Sequence, residues 1–229
     1  AALPAVAAVL LAAWARNLWA ALLLYLPLYE LFRPAVQHIV LRGLAPRRLP
    51  RLELDGVIPE EGRTVIAVST LLPSAKGAKK TAEHLFHLYN TNGRGAVQVC
   101  LLADLPQAAY PTLPGDETAV SAMRREIRRL YRRHDGRVVL LVRPRGYSRT
   151  MRAYTGKERK RGAIGELIRV IRGGEPHFLA VEGNLATLRQ TKYLLALDAD
   201  TGLMLDTAAE LVGVALHPMN RAVLGAGKD

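Results

Sequence analysis

The chain has 229 residues and a net charge of +12 at neutral pH, and half of its residues are hydrophobic. This length suits one sizeable domain with an appendage, and the apolar fraction is enough to bury a core. Its single cysteine, Cys100, excludes an internal disulfide framework and favours a reducing compartment. Because Cys100 lies in the apolar run VQVCLL, we expect a buried small side chain rather than a reactive thiol. The chain begins with alanine and ends in GAGKD, so we expect the remaining domains of a longer polypeptide as its partners.

The first part of the chain, residues 1–45, is predicted to be a membrane and interfacial helical segment. Residues 3–29 are nearly all apolar, and a helix of about 20 such residues crosses a bilayer. Arg16 and Asn17 interrupt the run, so a tilted helix and a remnant of a multi-pass region both stay open. The next residues have the apolar spacing of an interfacial amphipathic helix. Its apolar positions are Val36, Ile39, Val40 and Leu44.

Basic residues and prolines follow this segment. Arg42, Arg47, Arg48 and Arg51 place the following domain in the cytoplasm by the positive-inside rule. Prolines 46, 50 and 59 predict a stiff linker over residues 46–63. We therefore expect the soluble domain to span residues 64–229.

From residue 64 onward, apolar strands alternate with amphipathic helices. Unpatterned apolar strands of this kind are buried on both faces, so the fold class is α/β, with a mostly parallel sheet and helices on both faces. The predicted strands are TVIAVSTLL (64–72), AVQVCLLAD (96–104), RVVLLVRP (137–144) and KYLLALDAD (192–200), and the predicted helices cover residues 78–91, 116–136, 160–174 and 206–217.

The positive charge is concentrated in one part of this domain. Residues 124–161 contain fifteen Lys or Arg and three acidic residues, a net +12, whereas the rest of the chain balances seventeen bases with seventeen acids. Such a local excess predicts contact with an anionic ligand or surface. A solvated helix face is the alternative interpretation, and composition alone leaves both open.

Charged side chains follow the predicted strands at their carboxyl ends, where open α/β sheets bind ligands. Asp104 ends the second strand, and a carboxylate there could accept hydrogen bonds from a ribose or base. Asp198 and Asp200 end the fourth strand, where two carboxylates one residue apart can hold a divalent cation against phosphate oxygens. The run KERKRG supplies Lys160 and Arg161 for the other side of a diphosphate, and Gly162 would leave room at a helix N-terminus.

Each feature has a simpler interpretation when taken alone. An aspartate pair at a strand end commonly caps the next helix, and Asp104 could be a turn residue. The KERKRG run could be a solvated charge run. Together the three features favour a binding site more strongly than each does alone, because all of them fall at strand ends or at the start of the helix that follows a strand.

Five stretches of the chain resemble the glycosyltransferase region of the cyclic beta-1,2-glucan synthase family, in order and spacing. The resemblance covers roughly residues 46–221 and departs at Ser69, where the family pattern has proline. More distantly, the pattern is similar to processive membrane-associated glycosyltransferases with a GT-A fold. The five stretches are LAPRRLPRLELDGVIPEEGRTVIAVSTLL, LLADLPQA, ERKRG, LLALDADT and ALHPMNR.

The resemblance implies a GT-A-like domain that transfers glucose, with inversion, from UDP-glucose onto a growing beta-1,2-glucan acceptor. It implies an enzyme of the bacterial inner membrane, in contact with membrane lipid, whose soluble domain faces the cytoplasm. Carried over by position, Thr70, Asp104, Lys160, Arg161 and Gly162 are expected to bind the sugar nucleotide. Asp198 and Asp200 are expected to hold a divalent metal, Mg²⁺ or Mn²⁺.

An inverting transfer also needs a general base. In this family the base follows the strand that ends in the metal-binding aspartate pair, called DxD, which corresponds here to Asp198 and Asp200. We assign no catalytic base within the chain, expect it beyond Asp229, and expect this segment alone to be inactive. Two alternatives stay open: another membrane-associated processive nucleotide-sugar enzyme, and a basic membrane- or nucleic-acid-binding module without catalysis. Arginines on two faces of the helix at 116–136, with few aromatic residues nearby, argue against nucleic acid as a partner.

Overall fold

The computed structural model describes residues 6, 9–11, 13–14, 18–44 and 48–221. The chain divides into two compact units, Ala1–Leu49 and Pro50–Asp229.

The N-terminal unit contains a long helix, α1 (Leu18–Gly43), with Pro27 and Pro34 inside it. The apolar positions of the predicted interfacial helix lie in α1 or directly after it, and their side chains are exposed. Among the described residues, no helix combines the length and the apolar character that crossing a bilayer requires. The predicted apolar run 3–29 is only partly described, and its break at Arg16 and Asn17 lies outside the described residues.

A five-stranded sheet forms the centre of the second unit, in the order β6-β3-β2-β1-β7, where β6 spans Ala180–Glu182. Its parallel strands are β1 (Thr64–Leu71), β2 (Val97–Asp104), β3 (Val138–Arg143) and β7 (Tyr193–Asp198), all four of which the sequence predicted. The chain builds the sheet outward from β1 through β2 to β3, and then returns to place β7 on the other side of β1. A crevice at the carboxyl ends is expected where the direction of strand addition reverses, between β1 and β7.

Helices cover both faces of this sheet, as the apolar strands predicted, and the α/β fold class is confirmed. On one face, α2 (Ala78–Asn92), α3 (Asp116–Arg133) and α6 (Thr207–Leu216) pack against side chains such as Ile66 and Leu101. On the other face, α4 (Arg159–Ile171) and the short α5 (Leu185–Leu188) pack against side chains such as Ala67 and Leu102. Alternate residues of each strand therefore enter opposite halves of the core.

Two strand features were not predicted because they are too short to give a periodic signal. The antiparallel edge strand β6 (Ala180–Glu182) pairs with β3. A separate hairpin joins β4 (Gly146–Ser148) to β5 (Ala153–Thr155) beyond the end of β3. This hairpin carries the chain from the end of β3 to the turn that precedes α4.

The second half of the predicted linker packs on the sheet-containing unit. Ile58 is buried and bridges to Gly95, and a short 3-10 turn, Glu60–Gly62, leads into β1. The Leu52 amide donates to the Gly213 carbonyl of α6 at 3.0 Å, and a Cβ at Gly213 would lie 2.3 Å from the Leu52 carbonyl oxygen. Pro50 and Pro59 therefore lie in a segment that packs on the sheet-containing unit.

Candidate functional site

A cavity of about 360 Å³ lies at the carboxyl ends of β1, β2 and β7, at the switch point where the direction of strand addition reverses. Its walls combine apolar surface with polar side chains and with charges of both signs. Four residues that the sequence predicted at a site meet there: Thr70 from β1, Asp104 from β2, Asp198 from β7 and Lys160 from α4. The remaining lining residues are Ser69, Leu71, Gln107, Thr155 and Arg159.

The Asp104 side chain is held by a buried ion pair with Arg143. Arg143 Nε donates to Asp104 Oδ1 and Arg143 Nη2 donates to Asp104 Oδ2, both at 2.6 Å. The two residues are aligned neighbours on β2 and β3, so the sheet register itself brings them together. Such a bidentate arrangement fixes the plane of the carboxylate. Asp104 therefore lines the cavity as a fixed acceptor of hydrogen bonds.

The turn between β5 and α4 is held by the same arginine. Arg143 Nη1 donates to the Lys157 carbonyl at 3.1 Å, and Arg143 Nη2 donates to the Arg159 carbonyl at 2.8 Å. Glu158 and Arg159 in this turn have φ values of 56° and 43°, the left-handed region that non-glycine residues rarely adopt. This unusual backbone brings the side chains of Arg159 and Lys160 to the cavity wall.

Lys160 and Asp198 form an ion pair across the cavity. Lys160 Nζ donates to Asp198 Oδ1 at 2.6 Å, and the two side chains are 40% and 63% exposed. Because both groups face solvent, the pair adds little to stability and can open at small cost. An ammonium and a carboxylate that separate easily can each contact a charged ligand.

The other predicted site residues lie outside the cavity lining. Arg161 extends into solvent and pairs with Glu158, with 86% of its side chain exposed. Asp200 is exposed in the turn after β7. Gly162 has no side chain to line the cavity, yet a Cβ there would lie 2.0 Å from the Lys157 carbonyl oxygen. The missing side chain of Gly162 therefore leaves room for the backbone of the turn. Its predicted role beside a bound ligand stays a prediction.

The donor set at the end of β7 suits a hard divalent cation. Asp198 and Asp200 offer carboxylate oxygens one residue apart, and both are accessible. Mg²⁺ is commonly held by one or two carboxylates, with water and ligand phosphates filling its other positions. In the described part of the chain, no three His, Cys, Asp or Glu side chains converge as a metal site. A cation here would therefore depend on a bound phosphate for much of its coordination.

Arg143, Arg159, Gln107 and Thr155 contribute to the site but were not singled out from the sequence. The signal for Arg143 was present, because an arginine ending a fully apolar strand must find a buried partner. Aligning RVVLLVRP in parallel with AVQVCLLAD would have placed it beside Asp104. Nothing in the sequence pointed to Thr155, because its position at the cavity depends on the short hairpin of β4 and β5, which was not predicted.

Comparison with known proteins gives one informative match. No protein-family model matches the chain. The chain is 35% identical, over 184 residues, to the cyclic beta-(1,2)-glucan synthase NdvB of Rhizobium meliloti (strain 1021). The resemblance to the cyclic beta-1,2-glucan synthase family is confirmed. The match covers 78% of the chain but 6% of the relative, so the chain spans only a small part of the length of that synthase.

Proposed function

We propose that this chain is the sugar-nucleotide-binding part of a glycosyltransferase that uses UDP-glucose in beta-1,2-glucan synthesis. One observation carries the proposal: Asp104, Lys160 and Asp198, from three different elements, line one cavity at the switch point of a parallel sheet. The similarity to a cyclic beta-(1,2)-glucan synthase supports this choice of sugar and product.

Each side chain has a role that its chemistry suits. Asp104 would accept hydrogen bonds from the nucleoside, with Thr70 beside it on the neighbouring strand. Lys160 and Arg159 would neutralise the diphosphate, and Arg161 and Gly162 belong to the same basic turn. Asp198 and Asp200 would hold Mg²⁺ or Mn²⁺, which offsets the negative charge that develops on the departing UDP. Inverting attack by the acceptor hydroxyl requires a general base that we do not assign to any described residue.

The setting proposed for this activity is the cytoplasmic face of a bacterial inner membrane. The apolar N-terminal segment and the arginines that follow it support this placement. The partners would be membrane lipid, the growing glucan and the remaining domains of a longer synthase.

Calorimetric titration with UDP-glucose, with and without Mg²⁺ or Mn²⁺, tests the proposal. We expect saturable binding that strengthens at least tenfold with metal. Asp198→Ala and Asp200→Ala should abolish this gain, because the cation loses its protein ligands. Glu61→Ala is the matched control, since it removes an exposed carboxylate before β1, at the opposite end of the sheet.

Two outcomes would count against the proposal. If UDP-glucose affinity does not depend on the metal and is unchanged by either aspartate substitution, the proposed metal-dependent donor site is wrong. Equal affinity for UDP-N-acetylglucosamine and UDP-glucose would favour a different nucleotide-sugar enzyme with the same kind of cavity.

A further inference from the structure

We propose that Arg143 is a positioning residue of this site, which holds Asp104 and the turn before α4 so that Arg159 and Lys160 face the cavity. The proposed ligand-binding effect rests on the function inferred above. The geometric part of the proposal stands on the protein alone.

The contacts of Arg143 join three separate parts of the site. Its guanidinium makes four hydrogen bonds, two to the Asp104 carboxylate and two to the carbonyls of Lys157 and Arg159. The Arg143 and Asp104 side chains are only 6% and 9% exposed, so water cannot replace these bonds. Arg143 is absent from the cavity lining, which separates positioning from direct ligand contact.

The backbone around the guanidinium is shaped to admit it. A Cβ at Gly156 would lie 2.2 Å from Asp104 Oδ2 and 3.0 Å from Arg143 Nη2. A Cβ at Gly162 would lie 2.9 Å from Arg143 Nη1. Glycines on both sides of the turn thus allow the backbone to close on the ion pair. The left-handed residues Glu158 and Arg159 lie between these glycines, where the two carbonyl bonds from Arg143 can hold them in place.

Only a planar guanidinium can donate at the same time to both Asp104 carboxylate oxygens and to the carbonyl oxygens of Lys157 and Arg159. Lysine keeps the charge but offers a single ammonium point, which cannot bind both carboxylate oxygens and two separate carbonyls in the same geometry. Arg143→Lys should therefore leave a charged pair with Asp104 while freeing the turn. The protection of the Arg159 and Gly162 amides, which donate to the Gly156 and Glu158 carbonyls within the turn, should fall.

Arg145 provides a matched control in the same protein. Its side chain is 1% exposed. Arg145 Nη1 and Nη2 donate to the Asp116 carboxylate, Nε donates to the Pro106 carbonyl, and Nη1 also donates to the Pro111 carbonyl. It has the same chemistry and burial as Arg143, but it holds the start of α3 and does not line the cavity. Arg145→Lys should thus reproduce the loss of stability without the effect on the site.

The experiment compares Arg143→Lys and Arg145→Lys in the whole chain by thermal melting, amide hydrogen exchange and UDP titration with Mg²⁺. For Arg143→Lys we expect at least tenfold faster exchange at Arg159 and Gly162 and at least tenfold weaker UDP binding. For Arg145→Lys we expect similar loss of thermal stability, faster exchange at Asp116 only, and UDP affinity within twofold of the original. If Arg143→Lys does not melt cooperatively, Arg143→Gln, which still donates two N–H groups, takes its place.

Several results would overturn the proposal. Unchanged exchange at Arg159 and Gly162 would show that Arg143 does not hold the turn. If Arg143→Lys and Arg145→Lys lose UDP affinity equally, general destabilisation of the protein explains the loss, and Arg143 has no specific role at the site. If neither Arg143 variant folds while Arg145→Lys does, Arg143 is required for folding of the domain and is not a positioning residue of the site. If the unmodified chain does not bind UDP, the proposed function fails, whereas the exchange comparison still decides whether Arg143 holds the turn.

Discussion

The Nζ atom of Lys160 lies 2.6 Å from Oδ1 of Asp198, so the basic run at the start of α4 contacts the first of the two aspartates at the end of β7. This contact accounts for two features that look unrelated in the sequence, a run of cations and an acidic strand end 38 residues later. It also creates a competition, because an ammonium and a divalent cation would use the same carboxylate.

Replacing Lys160 by alanine should change metal and nucleotide binding in opposite directions. Without the ammonium, Asp198 is free to accept a cation, so Mn²⁺ affinity in the absence of nucleotide should rise several-fold. UDP affinity should fall about tenfold, because a charge-assisted bond to phosphate contributes on the order of 1.5 kcal/mol. Titrations of Mn²⁺ and of UDP measure the two effects separately.

The control for this variant is Lys192→Ala. Lys192 is an exposed lysine directly before β7, at the opposite end of the strand from Asp198. Neither affinity should change more than twofold in this control. A fall in Mn²⁺ affinity in Lys160→Ala would contradict the competition between the two cations.

Gly162 and Gly165 in α4 should respond oppositely to alanine. At Gly162, the new Cβ would lie 2.0 Å from the Lys157 carbonyl oxygen, so the turn must move and the protein should lose about 2 kcal/mol or more. At Gly165, nothing lies within 4 Å, so alanine should stabilise the helix by about 0.5–1 kcal/mol. Urea unfolding of the two variants gives both numbers, and equal effects would contradict the close approach at Gly162.

The sequence was enough to predict the central sheet and its covering helices. Eight-residue apolar runs such as Val97–Asp104 have one stable environment, the interior of a parallel sheet, so local pattern and fold agree there. The hairpin of β4 and β5 could not be predicted in this way. Strands of three residues, such as Ala153–Thr155, carry no periodic signal, and tertiary contacts decide their conformation.

The site was partly predictable for a related reason. Asp104 and Asp198 end long strands, so the rule that places ligands at carboxyl ends was sufficient to find them. The direction of a side chain in a turn follows from backbone angles that sequence patterns do not report. Lys160 and Arg161 are adjacent and chemically alike, yet Lys160 faces the cavity and Arg161 extends into solvent. Consecutive residues of a helix point in directions about 100° apart. The two left-handed residues before Lys160 set where α4 begins, and so decide which of the two side chains meets the cavity.

Cys100 should react with thiol reagents only after the protein unfolds. Its side chain is fully buried in β2, and burial raises the pKa of the thiol well above its ordinary range. The reactive thiolate is therefore nearly absent in the folded protein at neutral pH. Labelling by a maleimide should follow the unfolding transition in urea, and rapid labelling in buffer would contradict the burial.

Glu182 joins the edge strand β6 to helix α3. Arg128 donates to both of its carboxylate oxygens at 2.8 Å, and Arg124 adds a third bond at 3.2 Å. These arginines hold the pKa of Glu182 below its ordinary value, because they favour the ionised carboxylate. Part of the local basic excess therefore stabilises the fold.

The Glu182 pKa predicts a specific acid sensitivity. The pKa of Glu182 is lower in the folded protein than in the unfolded chain, so the unfolded chain binds the proton more readily. The stabilisation by this carboxylate is therefore complete above its ordinary pKa of about 4.3. It is lost as the pH falls through the lowered pKa of the folded protein. Glu182→Gln should lower the free energy of unfolding at pH 7 by about 1 kcal/mol, a modest amount because both arginines are partly exposed. Near pH 3 the difference from the unmodified chain should shrink. Glu126→Gln, which removes only the local pair with the exposed Arg129, should have little effect at either pH. Urea unfolding at both pH values measures these differences, and a pH-independent cost for Glu182→Gln would mean that packing of the side chain, and not its charge, holds β6 to α3.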